Sequence, residues 1–491
     1  MSETNQLALT LAAIGPLLVV AGFLRLPPSI LLFAAGASTA WLPGLPAMRV
    51  EPDLVLGLFL PPIIYASTAR VSFHLLRFTL VTGLLAGVLL AFATIAAVAL
   101  ASHTLLPGLS WPGAVLIGII AAVFDTRAFH EAKGRPQVPR AVADALKTRE
   151  MASRIVVVSS FPVAVQALTE APSAAAVLGS YAWDVVGGAA AGLAIGWLVQ
   201  RLRDRVDAAP VEIAVSLATP YLGAVAAREL GLSMVVVVIT AALVVSTVRI
   251  DRRTGRSASS TEARINAVAF WEAASLLVSS MLFLMAGRAL PEAVSALDDR
   301  PVWLVLGAAA AALAAVLGIQ YVTSLSTTLA SPVAEALEPR RGRTHSGAAG
   351  MMAWASTRSV IGLVLALSLP MELPGGQSFA ERDLVLVMAA LIVVCSVVVQ
   401  GVTLRIVVRR AGLADEDEER CEKDLARRAL GDAGAGVVTG ERLDAARRAL
   451  LALREENRIG DEVLRGMLRE VDLRARAAEG GPLPGGGPPK P

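Results

Sequence analysis

The feature that most limits what this chain can become is a series of apolar runs, each about twenty residues long. A membrane-spanning helix needs about that length to cross a hydrocarbon core near 30 Å thick. The 491 residues are 55% hydrophobic and only 17% charged, whereas soluble domains carry roughly 25% charged residues. The strands of a membrane barrel would be shorter and would alternate in polarity. The sequence therefore predicts an all-α, polytopic membrane helix bundle.

The apolar runs give thirteen candidate transmembrane spans: 7–24, 28–44, 53–68, 78–101, 111–130, 151–169, 181–200, 211–227, 233–249, 268–288, 302–325, 348–369 and 384–406. The loops between them alternate between basic sequences, such as 201–205, and sequences almost free of Lys and Arg, such as 169–180. Lys and Arg concentrate in cytoplasmic loops. This pattern predicts an N-terminus outside the cell and a C-terminus in the cytoplasm.

The chain changes character beyond its last apolar run, and three regions are predicted. Residues 1–410 form a transmembrane domain. Residues 411–478 form a cytoplasmic acidic linker and a helical hairpin, because 440–456 and 461–478 carry apolar residues at three- and four-residue spacing. Residues 479–491 are rich in Gly and Pro, a composition typical of disorder.

Composition excludes several other classes of function. The chain has two cysteines and four histidines, and the histidines are scattered at the ends of spans. Neither a disulfide framework nor a histidine metal cluster is therefore expected. The net charge of +3 is not a nucleic-acid signature, and no nucleotide-binding loop is present. We expect no cofactor, no enzymatic activity and no nucleic-acid partner.

Three charged residues lie where charge is energetically costly. Asp125, Arg154 and Arg358 are each inside an apolar run, and an ionised side chain near the middle of a bilayer costs at least about 2.5–3.5 kcal/mol. Such residues persist when they face the protein interior or a water-filled path and find a partner. They predict a transport or coupling site. The alternative is a buried ion pair that only holds helices together.

Asp125 is the candidate ion-binding residue. Thr126 follows it, so a carboxylate and a hydroxyl offer hard oxygen ligands for a small monovalent cation, or a place for a proton. The alternative is an interfacial carboxylate that pairs with Arg127 or Arg154.

Arg358 is a candidate positioning residue, because arginine can form pairs but cannot release its proton in a protein. It is expected to anchor a carboxylate or to neutralise the carbonyl groups of a broken helix. Glu150 and Glu272 are the other candidate partners for the buried arginines.

Several pieces of the sequence, taken in order, resemble one known family. They are Leu60-Pro61-Pro62, the VFDT sequence around Asp125, and the segments 220–233, 270–287 and 354–370. From about residue 7 to 410 the chain resembles the monovalent cation:proton antiporters, the sodium/proton exchangers of bacteria and eukaryotes. The resemblance implies inverted repeats, two broken helices that cross at mid-membrane, and a homodimer in the plasma membrane that exchanges sodium or potassium for protons.

The departures from the family's pattern fall on the ion site. The family's Asn-Asp pair, whose aspartate binds the cation, falls on Ser153 and Arg154. One family glutamate falls on Arg149, with Glu150 beside it, and another falls on Ala66. An arginine about 6 Å from a bound cation, at an effective dielectric constant near 20, opposes its binding by roughly 3 kcal/mol, or about 100-fold in affinity.

Three hypotheses follow. In the first, which the otherwise retained scaffold favours, the protein is a divergent cation:proton antiporter. Asp125 then binds the proton and the cation in turn, Thr126 and Ser153 add oxygen ligands, and Arg358 holds the broken helices.

The second hypothesis is a non-transporting member in which an Asp125–Arg154 pair fixes the core. The third is a transporter whose substrate is an anion attracted by Arg149, Arg154 and Arg358. An Arg154 side chain that points inward favours the second or third. An Arg154 that extends to the cytoplasmic face favours the first.

Overall fold

The computed structural model describes residues 3–24, 27–39, 51–69, 73–126, 140–170, 172–203, 205, 208–246, 261–297, 300–330, 345–373, 377–411, 416–432, 440–456, 458–460, 463–464 and 466–471. Within these ranges the chain is mostly helical.

The helices of the membrane part are α1 (Glu3–Leu24), α2 (Pro28–Ser38), α3 (Pro52–Leu54), α4 (Leu60–Thr68), α5 (Phe73–Leu105), α6 (Trp111–Ala122), α7 (Arg140–Gln166), α8 (Ala174–Arg203), α9 (Ala209–Leu230), α10 (Met234–Ser246), α11 (Thr261–Ser295), α12 (Val302–Ala330), α13 (His345–Ala355), α14 (Val360–Leu367) and α15 (Arg382–Ala411). A π-helical segment, Val55–Phe59, joins α3 to α4. Two short strands, β1 (Phe124–Asp125) and β2 (Thr357–Arg358), follow α6 and α13.

Six helical segments in the described ranges are long and apolar enough to cross a membrane: Gly83–Leu105, Ala174–Arg203, Pro210–Leu230, Asn266–Ser295, Val302–Leu329 and Arg382–Leu404. Shorter apolar helices lie among them, such as Pro52–Thr68 and Met234–Ser246. Each predicted span overlaps at least one described helix. The architecture is therefore that of a helical membrane bundle.

The helical structure stops inside two of the predicted spans. The first stop follows α6, where Val123 has extended backbone angles (φ −72°, ψ 124°). The part of that span beyond residue 126 lies outside the described residues. The second stop separates α13 from α14, and the hydroxyl of Ser359 accepts a hydrogen bond from the backbone N–H of Ile361 to cap the start of α14. Helix ends therefore lie inside the bundle, where their free backbone groups need partners.

The glycine face of α8 packs closely against α10. A Cβ atom added at Gly192 would lie 2.5 Å from the carbonyl oxygen of Val237, and one added at Gly188 would lie 2.9 Å from Val236. Small residues at four-residue spacing allow two membrane helices to approach in this way.

We expect Gly192→Val to reduce the free energy of unfolding by about 1–3 kcal/mol, because the added methyl groups force α8 away from α10. Thermal unfolding in detergent measures the loss. Gly179→Val on the same helix is the matched control, since nothing lies within 4 Å of its added Cβ. Equal losses in the two variants would contradict this packing.

The C-terminal tail contains a helix where a linker was predicted. Residues Glu416–Asp432 form α16 and Gly440–Glu455 form α17. Ala426 and Leu430 of α16 are buried in one cluster with Ala446 and Leu450 of α17. The acidic run therefore begins an amphipathic helix, whose apolar face packs on α17. Of the predicted second hairpin helix, 463–464 and 466–471 are described, and they are helical. The terminal 479–491 lie outside the described residues.

Candidate functional site

The two interrupted helices meet at a short antiparallel pairing of β1 with β2. Asp125 lies opposite Thr357, and Phe124 lies opposite Arg358. The Thr357 hydroxyl donates a hydrogen bond to the carbonyl oxygen of Asp125 at 3.0 Å. The backbone at Asp125 is thus held by the second interrupted helix, and both Asp125 and Thr126 are buried.

The side chain of Arg154 points into the bundle and is 5% exposed. Its Nη2 lies 3.5 Å from Oδ2 of Asp125 and forms a shorter ion pair with Glu150, one turn earlier on α7. Its Nη1 donates a hydrogen bond to the Ser67 hydroxyl of α4 at 2.6 Å. One guanidinium therefore joins three parts of the bundle: the interruption after α6, the middle of α7, and α4.

Glu150 is the second buried carboxylate of this cluster. Its Oε2 accepts hydrogen bonds from the backbone N–H of Thr126 at 3.1 Å and from the Thr126 hydroxyl at 2.6 Å. Glu150 and Asp125 therefore both contact the guanidinium of Arg154. Ionised, the two carboxylates and the guanidinium sum to one negative charge. Ionised side chains are tolerated inside a protein only where ion pairs and hydrogen bonds compensate for the loss of water. We call Asp125, Thr126, Glu150 and Arg154 the shared-arginine cluster.

Two of the predicted site residues point elsewhere. The Ser153 hydroxyl donates a hydrogen bond to the carbonyl oxygen of Ala122, at the end of α6, at 3.2 Å. Arg149 is fully buried on another side of α7. It donates hydrogen bonds to the hydroxyls of Ser324 at 2.8 Å and Thr323 at 3.1 Å, both in α12. Arg149 therefore links α7 to α12, outside the shared-arginine cluster.

Arg358 lies between the ends of the two interrupted helices. Its Nη1 donates a hydrogen bond to the carbonyl oxygen of Ala121 at 2.5 Å, and its Nη2 donates one to the carbonyl oxygen of Ser356 at 2.8 Å. These carbonyls lie at the C-terminal ends of α6 and α13, where a helix carries partial negative charge. The guanidinium also lies over the ring of Phe124, 5.8 Å from its centre. These contacts place the positive charge of Arg358 next to the partial negative charges of both helix ends.

We expect Arg358→Leu to reduce the free energy of unfolding by about 3 kcal/mol, because two hydrogen bonds from a charged donor are worth about 1.5 kcal/mol each or more. Arg382→Leu is the matched control. Arg382 is half-buried, donates a hydrogen bond to the carbonyl oxygen of Leu369 and pairs with Asp383 at the start of α15. Thermal unfolding in detergent compares the two. If Arg358→Leu lost no more unfolding free energy than the control, the inference that Arg358 holds the two interrupted helices together would be contradicted.

Sequence reasoning missed the polar residues that come from distant helices. Ser67 contacts Arg154, although it lies in a different span. Ser396 accepts a hydrogen bond from the backbone N–H of Arg358 at 3.0 Å and donates one to Gln400. With its amide oxygen facing the guanidinium, Gln320 of α12 also accepts from Arg358. The available signal was an amide side chain inside each of two apolar runs, at Gln320 and Gln400.

A family profile described as the transmembrane part of the sodium/hydrogen exchangers matches residues 9–410. That match covers most of the chain, including every residue of the shared-arginine cluster. The chain belongs to the sodium/hydrogen exchanger family. The predicted resemblance to cation:proton antiporters is thereby confirmed. The protein is a multi-pass membrane protein of a transporter family whose substrates are sodium ions and protons.

Curated relatives of this exchanger support the assignment. An uncharacterized Na⁺/H⁺ exchanger of Mycobacterium tuberculosis is 28% identical over 409 residues, which is 82% of this chain and 73% of that protein. The Na⁺/H⁺ antiporter NhaP of Pseudomonas aeruginosa is 26% identical over 415 residues, which is 79% of this chain and 92% of the relative. These antiporter relatives support exchange of a cation for protons.

The fold is also that of a solved exchanger. The structure of the sodium proton antiporter MjNhaP1 from Methanocaldococcus jannaschii superposes with a TM-score of 0.62 at 16% sequence identity. The superposition covers 84% of this chain and 99% of that protein. At this identity the likeness extends to the fold alone.

Proposed function

We propose that this exchanger moves a monovalent cation, sodium or potassium, against protons by alternating access, and that the exchanging group is the carboxylate pair Asp125 and Glu150. Thr126 adds an oxygen ligand close to the pair, whereas the Ser153 hydroxyl is bonded to Ala122 at the end of α6. Arg154 is a fixed counter-charge inside the site, and Arg358 holds the two interrupted helices around it.

The observation that carries the proposal is that two buried carboxylates contact one guanidinium. The hypothesis of a blocked site considered Asp125 alone with Arg154, a pair without net charge. With Glu150 included, the cluster brings two carboxylates to one guanidinium, a set of oxygens on which a proton and a monovalent cation can replace each other. Protonation of either carboxylate, or a cation between them, produces the same net charge, and this equivalence is the basis of exchange.

The inward direction of Arg154 sets the energy that the transported cation must overcome. A unit charge at 3.5 Å from the carboxylate interacts with it by about 5 kcal/mol at an effective dielectric constant of 20. A cation therefore competes poorly for the oxygens closest to the guanidinium. Binding at Oε2 of Glu150, beside the Thr126 hydroxyl, avoids Oε1, the oxygen that pairs with Arg154.

Arg154 also connects α7 to α4 through Ser67. We also propose that α7 belongs to a core that moves against a dimerising half containing α4, so that this contact lies between the two parts. We therefore propose a homodimer in the plasma membrane with the N-terminus outside and the C-terminus in the cytoplasm, as the basic loops predict.

A second candidate function is a non-transporting or anion-selective family member. The observation in its favour is the inward direction of Arg154, with its 3.5 Å approach to Asp125. In that case the guanidinium acts as a tethered cation, and sodium finds no vacancy.

Exchange in proteoliposomes separates the two candidates. Purified protein is reconstituted with an imposed pH gradient, and sodium, potassium or lithium chloride is added while a pH-sensitive dye reports the lumen. We expect a cation-dependent proton flux in the wild type, with gluconate replacing chloride without effect. A silent wild type that gains flux as Arg154→Asp would establish the blocked site instead. A flux that follows the anion would establish the anion-selective alternative.

A further inference from the structure

A cavity of about 320 Å³ lies at one end of the membrane part, between α11, α12 and α15. This is a volume typical of small-ligand sites, which span roughly 300–1,000 Å³. The aliphatic side chains that line it come from the end of α11 and from the first turns of α12 and α15: Leu290, Val294, Val305, Leu306, Val387 and Leu391. Such a lining suits a hydrocarbon chain.

Among the described residues of the cavity wall, one side chain is cationic. Arg300 lies just before α12 and lines the cavity together with these aliphatic residues. Its Nη1 is buried and has no hydrogen-bond partner among the described residues. A buried charged donor without an acceptor is costly. Arg300 as a whole is only partly buried and lines the cavity, so an anionic oxygen there can lie against the guanidinium and offset its charge.

The cavity opens toward the surface that faces lipid. Val294 is 43% exposed and Leu306 is 51% exposed, and both lie in long apolar helices. An occupant can therefore enter from the bilayer with its hydrocarbon part first.

We propose that this cavity binds an anionic phospholipid, with an acyl chain between α11, α12 and α15 and the phosphate group against Arg300. The site is separate from the shared-arginine cluster, and its occupation does not depend on the ion that the protein exchanges. Because the lipid contacts three helices of the folded protein, its binding stabilises the folded state by mass action.

Native mass spectrometry of the detergent-purified protein, titrated with phosphatidylglycerol or phosphatidylcholine of identical chains, tests the proposal. We expect the first phosphatidylglycerol to bind about tenfold more tightly, as one charge-assisted hydrogen bond allows. Arg300→Gln should reduce phosphatidylglycerol affinity to the level of phosphatidylcholine. Arg382→Gln is the matched control, an arginine near the same end that already pairs with Asp383, and should retain the preference.

Two further measurements keep the test independent of the folding of one variant. Val305→Trp fills the cavity and should weaken the first binding of both lipids, while circular dichroism and size-exclusion elution report that the fold is intact. Inorganic phosphate alone, followed by calorimetry, should give no binding that depends on Arg300. Equal affinities for the two lipids, an unaffected Arg300→Gln variant, or phosphate binding as tight as that of the lipid would each overturn the proposal.

Discussion

Asp125→Asn is expected to lower cation-dependent proton flux in proteoliposomes by at least about 100-fold, because the amide neither takes up the proton nor attracts the cation, and that lost attraction is worth roughly 3 kcal/mol. Asp125 lies at the pairing of the two interrupted helices and contacts Arg154 at 3.5 Å. Because asparagine keeps the shape of the side chain, the pairing of β1 with β2 should stay intact. Thermal unfolding of the variant checks that the loss of flux is not a loss of fold.

Asp53→Asn is the matched control for this result. Asp53 is an exposed carboxylate whose oxygen lies 3.7 Å from the guanidinium of Arg228, and its replacement should leave the flux close to that of the wild type. Glu150→Gln should impair exchange as Asp125→Asn does, because the two carboxylates contact the same guanidinium. A Glu150→Gln variant with undiminished flux would assign exchange to Asp125 alone.

Arg154→Gln is expected to produce the largest loss of stability in the membrane part, about 3–5 kcal/mol, which is typical when one partner of a buried ion pair is removed. The substitution leaves Asp125 and Glu150 near each other without their shared guanidinium, and it also removes the hydrogen bond to Ser67. Arg154→Lys should recover only part of the loss. A lysine keeps the charge but lacks the planar group that reaches three partners at once.

The measurement is chemical or thermal unfolding in detergent, with flux measured on the same preparations. Arg228→Gln is the control, since exposed ion pairs contribute little and its guanidinium is mostly exposed. An Arg154→Gln variant as stable as the wild type would mean that the guanidinium does not hold the cluster together.

The location of the candidate site could be predicted from sequence because charge inside an apolar run is rare. Asp125, Arg154 and Arg358 were recognisable on that ground alone, and Glu150 followed as a nearby partner. The direction of Arg154 could not be predicted. A long side chain a few residues from a helix end can extend to water or fold inward, and only the packed bundle decides between the two.

Contacts between distant spans were also beyond sequence reasoning. The approach of Ser67 to Arg154 depends on how α4 packs against α7, which no local pattern encodes. Conversely, the acidic run at the start of α16 was predicted to be part of a linker, on the basis of its charge alone. Its helix forms because Ala426 and Leu430 find an apolar surface on α17, so tertiary packing overrode the polar composition.

Proton release on cation binding tests most directly whether the carboxylate pair takes up protons and cations in competition. Sodium chloride is added to weakly buffered, detergent-solubilised protein, and a pH-sensitive dye reports the protons released, with choline chloride as the ionic-strength control. We predict sodium-dependent release of about one proton per chain, as linkage requires when one net charge is exchanged, and no release from Asp125→Asn. A wild type that binds sodium without releasing protons, or an Asp125→Asn variant that releases them as the wild type does, would contradict exchange at this pair.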